Sequence, residues 1–239
     1  QRVQDLYLLW QNEDGGWPYG RGRLNPDRRQ NSYGSMTAAA VASLFITRDY
    51  LYPGIGCPCK GGKSTGRVPQ LDKAIDGGVD WLAENFAGDR HPKYSTPARR
   101  VLYWLYACER VGLAAGLKYF GGHDWYAEGA EYLLSEQGRR SGRWGQVYQT
   151  CWAVCFLVKG RAPILFNKLK FKGLWNNHSR DVANLARYIG NLKEQPIQWQ
   201  IITLEAPVEE WHDAPILYIS AESRLRLTDE HKAKLRRFT

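Results

Sequence analysis

The chain has 239 residues, 44% hydrophobic and 13% aromatic, with a formal net charge of +9. That length holds one large or two small domains, and the apolar content excludes a disordered chain. The cations are scattered, with local clusters at Arg21–Arg23, Arg139–Arg143 and Lys232–Arg237. No nucleic-acid motif accompanies them, and no apolar run is long enough to span a bilayer, so neither a nucleic-acid partner nor a transmembrane segment is expected.

In chain order, Val3, Leu6, Tyr7 and Trp10 recur at helical spacing. The Gly-rich turn Gln11-Asn-Glu-Asp-Gly-Gly-Trp17 follows, and Met36 to Phe45 reads as an Ala-rich helix that allows close helix approach. No signal peptide is visible at Gln1; the chain starts inside a helical pattern and is expected to be cut upstream. A second segment puts Leu71, Ile75, Gly78 and Leu82 on one helix face, ends at Asn85-Phe86, and continues into an apolar helix from Val101 to Val111. The third runs from Trp125 to Gln137, through the turn Gly138 to Trp144, into a helix from Thr150 to Val158.

These segments align with one another. Gly78-Val-Asp-Trp-Leu82 matches Gly129-Ala-Glu-Tyr-Leu133, Thr37-Ala-Ala-Ala-Val41 matches Thr150-Cys-Trp-Ala-Val154, and Gln11 to Trp17 matches Gln137 to Trp144. Repeats this small cannot bury their own apolar faces, so they stack. The second helix of each pair is the more apolar, which suggests two concentric layers with the inner one facing a central space.

The pattern ends at Gly160-Arg-Ala-Pro163. Ile164-Leu-Phe166, Gln198 to Leu204 and Ile216 to Ser220 read as strands; Asp181 to Leu192 reads as a helix, and Thr228 caps a final basic helix that Asp229 and Glu230 suit at its positive end. Strand alternating with helix predicts a parallel sheet. The domains are therefore 1–160, helical repeats, and 161–239, a small α/β domain expected to be truncated at Thr239.

The Gln11–Trp17 and Gln137–Trp144 segments resemble the glutamine–tryptophan repeat of squalene-hopene cyclases and protein prenyltransferases. The resemblance implies a mainly α chain: an incomplete α/α-toroid of three outer–inner helix pairs, forming an arc. A narrower resemblance covers nearly the whole chain, to uncharacterised bacterial proteins with such a toroid fused to a C-terminal domain of unknown function. It rests on Leu105-Tyr-Ala-Cys-Glu-Arg-Val-Gly112, Gly121-Gly-His-Asp-Trp-Tyr126, Phe156-Leu-Val-Lys-Gly-Arg-Ala-Pro163, Asn167-Lys-Leu169, Trp175-Asn-Asn177, Asp181-Val-Ala-Asn-Leu185, Ala214-Pro-Ile-Leu-Tyr-Ile-Ser220 and Leu227-Thr-Asp-Glu230. It implies an amidotransferase-like fold for the C-terminal part, which in the family continues with a Gly-Gly turn and another strand. It also implies an exported, periplasmic location.

The chemistry of the toroid enzymes is mostly missing. Class II terpene cyclases need an Asp-x-Asp-Asp acid, and this chain has no Asp-Asp pair. Asp72, Asp76 and Asp80 read as the solvated face of an outer helix. Prenyltransferases hold zinc with Asp, Cys and His, and Gln149 in Tyr148-Gln-Thr-Cys151 stands where their His would be. Five Cys leave at least one thiol unpaired; Cys57 and Cys59 sit in a Pro/Gly loop, Cys151 and Cys155 are a turn apart, and neither pair has zinc spacing with His. Gly56 to Ser64 has five residues before its Gly-Lys-Ser, where a phosphate loop needs four. In the C-terminal part, Ser220-Ala-Glu-Ser223 has neither the Cys nor the Gly of an amidotransferase turn, and Ser223 has no His placed beside it. No catalytic residue, metal or cofactor is expected.

His123-Asp124 has two readings. Asp124 caps the helix that follows, or His123 acts as a general base oriented by Asp124 or touches a ligand at a cavity mouth. Adjacent residues rarely point at each other, which favours capping. The function expected is non-catalytic binding of an apolar, isoprenoid-like ligand or of a partner by an aromatic-lined helical concavity. Its candidate residues are Trp17, Tyr19, Tyr103, Trp104, His123, Asp124, Trp144, Gln149 and Trp152. Neighbours such as Tyr103 and Trp104 diverge by about 100°, so one of the pair should face the space and the other pack between layers. The alternatives are a lipid-modifying enzyme of the toroid superfamily and a protein-interaction scaffold.

Overall fold

A computed structural model describes residues 1–20, 31–53, 66–96, 100–222 and 224–239. The chain is mainly helical with a small parallel sheet, and it divides into two compact units. The first comprises Gln1–Ala114 and Lys118–Gly160, the second Ala115–Leu117 and Arg161–Thr239.

In the first unit α1 (Arg2–Trp10), α2 (Gly34–Leu51), α3 (Arg67–Asn85), α4 (Val101–Ala115), α5 (Trp125–Glu136) and α6 (Val147–Gly160) follow one another, with a two-residue hairpin of β1 (Tyr119–Phe120) and β2 (His123–Asp124) before α5. Helix α3 buries Val68, Leu71, Ala74, Ile75, Gly78, Trp81 and Leu82, a single stripe at helical spacing, and leaves its other face to water. Helix α2 is different: Thr37, Ala38, Ala40, Val41, Ala42 and Leu44 are all buried, so it is covered on nearly every side. Its Ala-rich surface lets neighbouring backbones approach, and α3 answers with a glycine. A side chain on Gly78 would collide with Val41 Cγ2 and lie 2.8 Å from a ring carbon of Trp17. Fully buried Leu71, Trp81 and Leu82 each contribute roughly 1.5–3 kcal/mol relative to exposure.

The acidic stripe of α3 is not solvated throughout. Asp72 takes Arg48 of α2 in a two-pronged ion pair, Nε to Oδ1 at 2.5 Å and Nη2 to Oδ2 at 3.2 Å, with the arginine side chain only 7% exposed. This bond staples α3 to α2.

The second unit runs β3 (Ile164–Lys170), α7 (Asp181–Lys193), β4 (Gln198–Thr203), α8 (Val208–Trp211), β5 (Ile216–Tyr218) and α9 (Asp229–Phe238). The strands are parallel in the order β4-β3-β5. The central strand β3 is buried on both faces, as a parallel strand between covering helices must be. One face packs Phe166 and Trp199 with Val182 and Ala186 of α7; the other packs Leu169, Ile202 and Leu204 with Trp211 of α8. Thr228 caps α9 by accepting from the His231 backbone N–H at 3.2 Å, while His231 Nδ1 accepts from the Thr228 N–H, a reciprocal capping box. Ala115–Leu117 join this unit because the Ile201 N–H donates to the Gly116 carbonyl at 2.7 Å and Trp199 fills the space a Gly116 side chain would need. Among the described residues no helix is long and apolar enough to cross a membrane.

Candidate functional site

The repeated turn fixes which aromatic rings are available. In the first repeat the Trp17 N–H donates to Thr37 Oγ1 at 3.0 Å, its indole N–H to the Tyr7 carbonyl at 2.8 Å, and Gln11 Nε2 to the Gly15 and Ala74 carbonyls, both at 2.9 Å. In the third, the Trp144 N–H donates to Thr150 Oγ1 at 3.1 Å, its indole to the Leu133 carbonyl at 2.6 Å, and Gln137 Nε2 to the Gly142 carbonyl at 2.8 Å. The two turns thus tie the end of α1 to the start of α2 and the end of α5 to the start of α6. Trp17 and Trp144 are buried in doing so. Trp104 is buried as well, its indole N–H donating to the Ala87 carbonyl at 2.9 Å. These three candidate rings belong to the core of the unit and offer almost no accessible surface.

Tyr103 and Trp152, each beside a fully buried residue on α4 and α6, are half-buried. Their ring centroids lie 5.0 Å apart, and Tyr148, 53% exposed, adds a third ring 5.1 Å from Trp152. The result is a partly exposed aromatic surface carried by α4 and α6. Lys159, an exposed residue of α6, continues the same helical line as Tyr148 and Trp152. Tyr19 stands 71% exposed on the first turn. Gln149 is half-buried and its Oε1 accepts from the Gln146 N–H at 2.9 Å, so it closes the start of α6.

His123 and Asp124 separate in role. Asp124 accepts from the Ala127 N–H at 2.9 Å and caps α5. His123 Nδ1 meets Glu128 Oε1 at 2.8 Å instead, at the edge of a cleft of about 460 Å³ that also presents Asp89, Arg90, Glu131 and Tyr132. A carboxylate that holds one ring nitrogen leaves the other as a base or hydrogen-bond donor. The pair is open to water, with side-chain exposures of 47% and 39%, which screens the charge interaction.

Three buried polar groups escaped the sequence reading. His91 is fully buried, its Nε2 accepts from the Ser35 N–H at 3.2 Å, and its ring lies 4.9–5.8 Å from those of Tyr33, Tyr94 and Trp104. Burial pushes its pKa down to about 4, so the imidazole is neutral. Glu109 of α4 is 1% exposed and its Oε2 has no partner; burial raises its carboxyl to about 7, against the pull of Lys159 and Arg110. Its signal in the sequence was the one carboxylate of α4, beside Arg110 in a helix whose other residues are apolar, aromatic or small. In the second unit Lys168 is buried, and burial lowers its pKa while Asp181 opposes that change. Its Nζ donates to Asn176 Oδ1 at 2.8 Å, the His178 carbonyl at 3.0 Å and Asp181 Oδ1 at 2.6 Å, which ties the loop after β3 to the start of α7.

Cys108 is buried, Cys155 half-buried and Cys151 exposed, all as free thiols. Among the described residues no group of three or more His, Cys, Asp or Glu could hold a metal ion. The Arg21–Arg23 cluster, the Gly56–Ser64 loop with Cys57 and Cys59, and Ser223 lie outside the described residues. Comparison of the chain with protein-family models, with curated proteins and with solved structures finds no match.

Proposed function

We propose that the helical unit is an arc of an α/α-toroid and a non-catalytic binding module for an apolar, isoprenoid-like chain, laid across Tyr103, Tyr148 and Trp152. The observation that carries this reading is the contrast among the rings. Trp17, Trp104 and Trp144 spend their indole N–H groups on backbone carbonyls and are buried, while Trp152 meets both Tyr103 and Tyr148 and all three remain partly exposed. Aromatic surface kept out of the core is suited to an apolar ligand that gains by leaving water. The C-terminal unit is read as an inactive amidotransferase-like relative that serves binding.

The test is mass spectrometry of lipids retained by the natively purified protein, followed by titration with a polyprenyl alcohol. Trp152→Ala should abolish retention while changing stability by less than the ~3–5 kcal/mol typical of a buried aromatic. Retention that survives this substitution, or no retained lipid and no binding of the alcohol, removes the proposal in favour of the scaffold reading. A lipid-modifying enzyme is a second reading, supported by the His123–Glu128 pair at its cleft; turnover of an isoprenoid substrate lost on His123→Ala would select it.

A further inference from the structure

We infer that Tyr33, Tyr94, Tyr103 and Arg100 form a seat for an oxyanion head group of the phosphate-monoester kind, carried by an amphiphile whose apolar chain lies over Tyr103, Tyr148 and Trp152. The seat rests on the aromatic ligand surface proposed above and supplies its polar end. That surface does not stop at Tyr103, because α2, α4 and α6 start beside one another. A side chain on Gly34, the first residue of α2, would come within 2.8 Å of a Trp104 ring carbon in the first turn of α4. Tyr103 of that same turn meets Trp152 of α6, with 5.0 Å between ring centroids. Tyr33 immediately precedes α2, and its ring lies 5.7 Å from that of Tyr94. The Arg100 guanidinium, just before α4, stands 5.6 Å from the Tyr94 ring. Tyr33, Tyr94 and Tyr103 are half-buried and Arg100 is exposed.

Every one of these groups can donate a hydrogen bond. Among the described residues the hydroxyls of Tyr33, Tyr94 and Tyr103 have no hydrogen-bond partner. Burial first, then the nearby hydroxyls of Tyr94 and Tyr19, push the Tyr33 hydroxyl up to about 12 against the pull of Arg100, with Tyr103 adding to the rise. It therefore keeps its proton at neutral pH and is a donor. A further donor beside these rings is already out of water. His91 is fully buried, 5.6 Å from the Tyr33 ring and 4.9 Å from the Tyr94 ring. Its Nε2 accepts from the Ser35 N–H, so the proton of the neutral imidazole sits on Nδ1, and Nδ1 has no partner among the described residues. A buried donor left unpaired is costly, and an oxyanion drawn in between Tyr33 and Tyr94 supplies the missing acceptor.

The local charge favours an anion. Residues 28–48 and 90–108, the stretches that carry the four groups, contain no Asp or Glu. Arg90, Lys93 and Arg100 are exposed within the second of them. Asp14 of the adjoining turn is spent on the Ser32 hydroxyl at 2.8 Å and the Trp81 indole N–H at 3.0 Å. Phenol hydroxyls beside a guanidinium suit an oxyanion, and charge-assisted bonds of this kind are roughly twice as strong as neutral ones. Aromatic rings alone could hold a quaternary ammonium instead, but here a cation of the chain itself, Arg100, already stands over the Tyr94 ring and repels a second one.

Calorimetric titration of the full chain with decyl phosphate, decanol, decyltrimethylammonium and inorganic phosphate tests this, with the amphiphiles kept below their micelle concentrations. Decyl phosphate should bind about tenfold tighter than decanol or better, and the advantage should shrink with added salt because the contact is partly exposed. Tyr33→Phe keeps the ring and removes the hydroxyl. It and Arg100→Gln should each weaken decyl phosphate about tenfold and leave decanol unchanged, which also shows that the variants are folded. Trp152→Ala should weaken both amphiphiles. Inorganic phosphate should bind more weakly than decyl phosphate and lose affinity in Arg100→Gln. Equal binding of decyl phosphate and decanol overturns the inference and leaves the apolar surface standing, as does an affinity for decyl phosphate that Arg100→Gln does not change. A preference for decyltrimethylammonium overturns it as well, since the rings then serve a cation. No binding of any probe removes the inference together with the aromatic surface it rests on.

Discussion

Glu109→Gln isolates the energetic consequence of the buried carboxyl on α4. The folded protein holds the proton of Glu109 up to about pH 7, whereas the unfolded chain releases it near 4.5. Between those values the native state binds more protons, so this group's contribution is greatest at low pH and is lost as pH rises through the window. Each tenfold difference in proton affinity between the folded and unfolded chains is worth about 1.4 kcal/mol, so the charged carboxylate costs the fold about 3 kcal/mol once the window is passed. Burial is the cause: the side chain is 1% exposed and Oε2 has no partner, and the opposing pull of Lys159 and Arg110 does not offset it. Glutamine keeps the shape without the charge. Urea unfolding should therefore find the two proteins within about 1 kcal/mol near pH 5, and the variant more stable by about 3 kcal/mol near pH 8. His91, whose folded pKa is depressed, lowers stability as pH falls below 6.5 in both proteins, so its effect cancels in the difference. A gap between the two proteins that is the same at both pH values would refute the reasoning.

Gly129→Ala should destabilise the helical unit by roughly 1–3 kcal/mol or more, because the added carbon would lie 2.5 Å from Phe156 Cζ on one side and 3.1 Å from Leu105 Cδ2 on the other; chemical denaturation measures it, and a neutral result would mean that α4, α5 and α6 shift apart freely. Lys168→Met should cost about 3–5 kcal/mol by leaving the Asp181 carboxylate without its cation, and adding Asp181→Asn should recover a large part of that loss. Thermal melts of the single and double variants decide this, and a double variant as unstable as the single one would show that the lysine acts through its carbonyl and amide bonds alone.

Local chemistry was readable before any tertiary structure. The capping roles of Asp124 and Thr228, and the equivalence of the two Gln–Trp turns, depend on residues within a few positions of one another, and short-range hydrogen bonds express them. Helix periodicity also located helices α1 to α6, since burial on one face leaves a 3.6-residue imprint. The β1–β2 hairpin left no such trace, because strands of two residues are too short to show an alternation. Which rings are accessible was decided only by packing. Trp144 and Trp152 look alike as candidates on neighbouring segments, yet one closes a turn inside the core and the other meets Tyr103 of α4. Burial of Glu109 and His91, and the membership of Ala115–Leu117 in the second unit, likewise depend on contacts between residues far apart in sequence. Sequence by itself determined the helices, their caps and the two Gln–Trp turns, which are set by neighbours along the chain; the tertiary structure alone decided which groups lose water, because desolvation is a property of everything that surrounds a side chain.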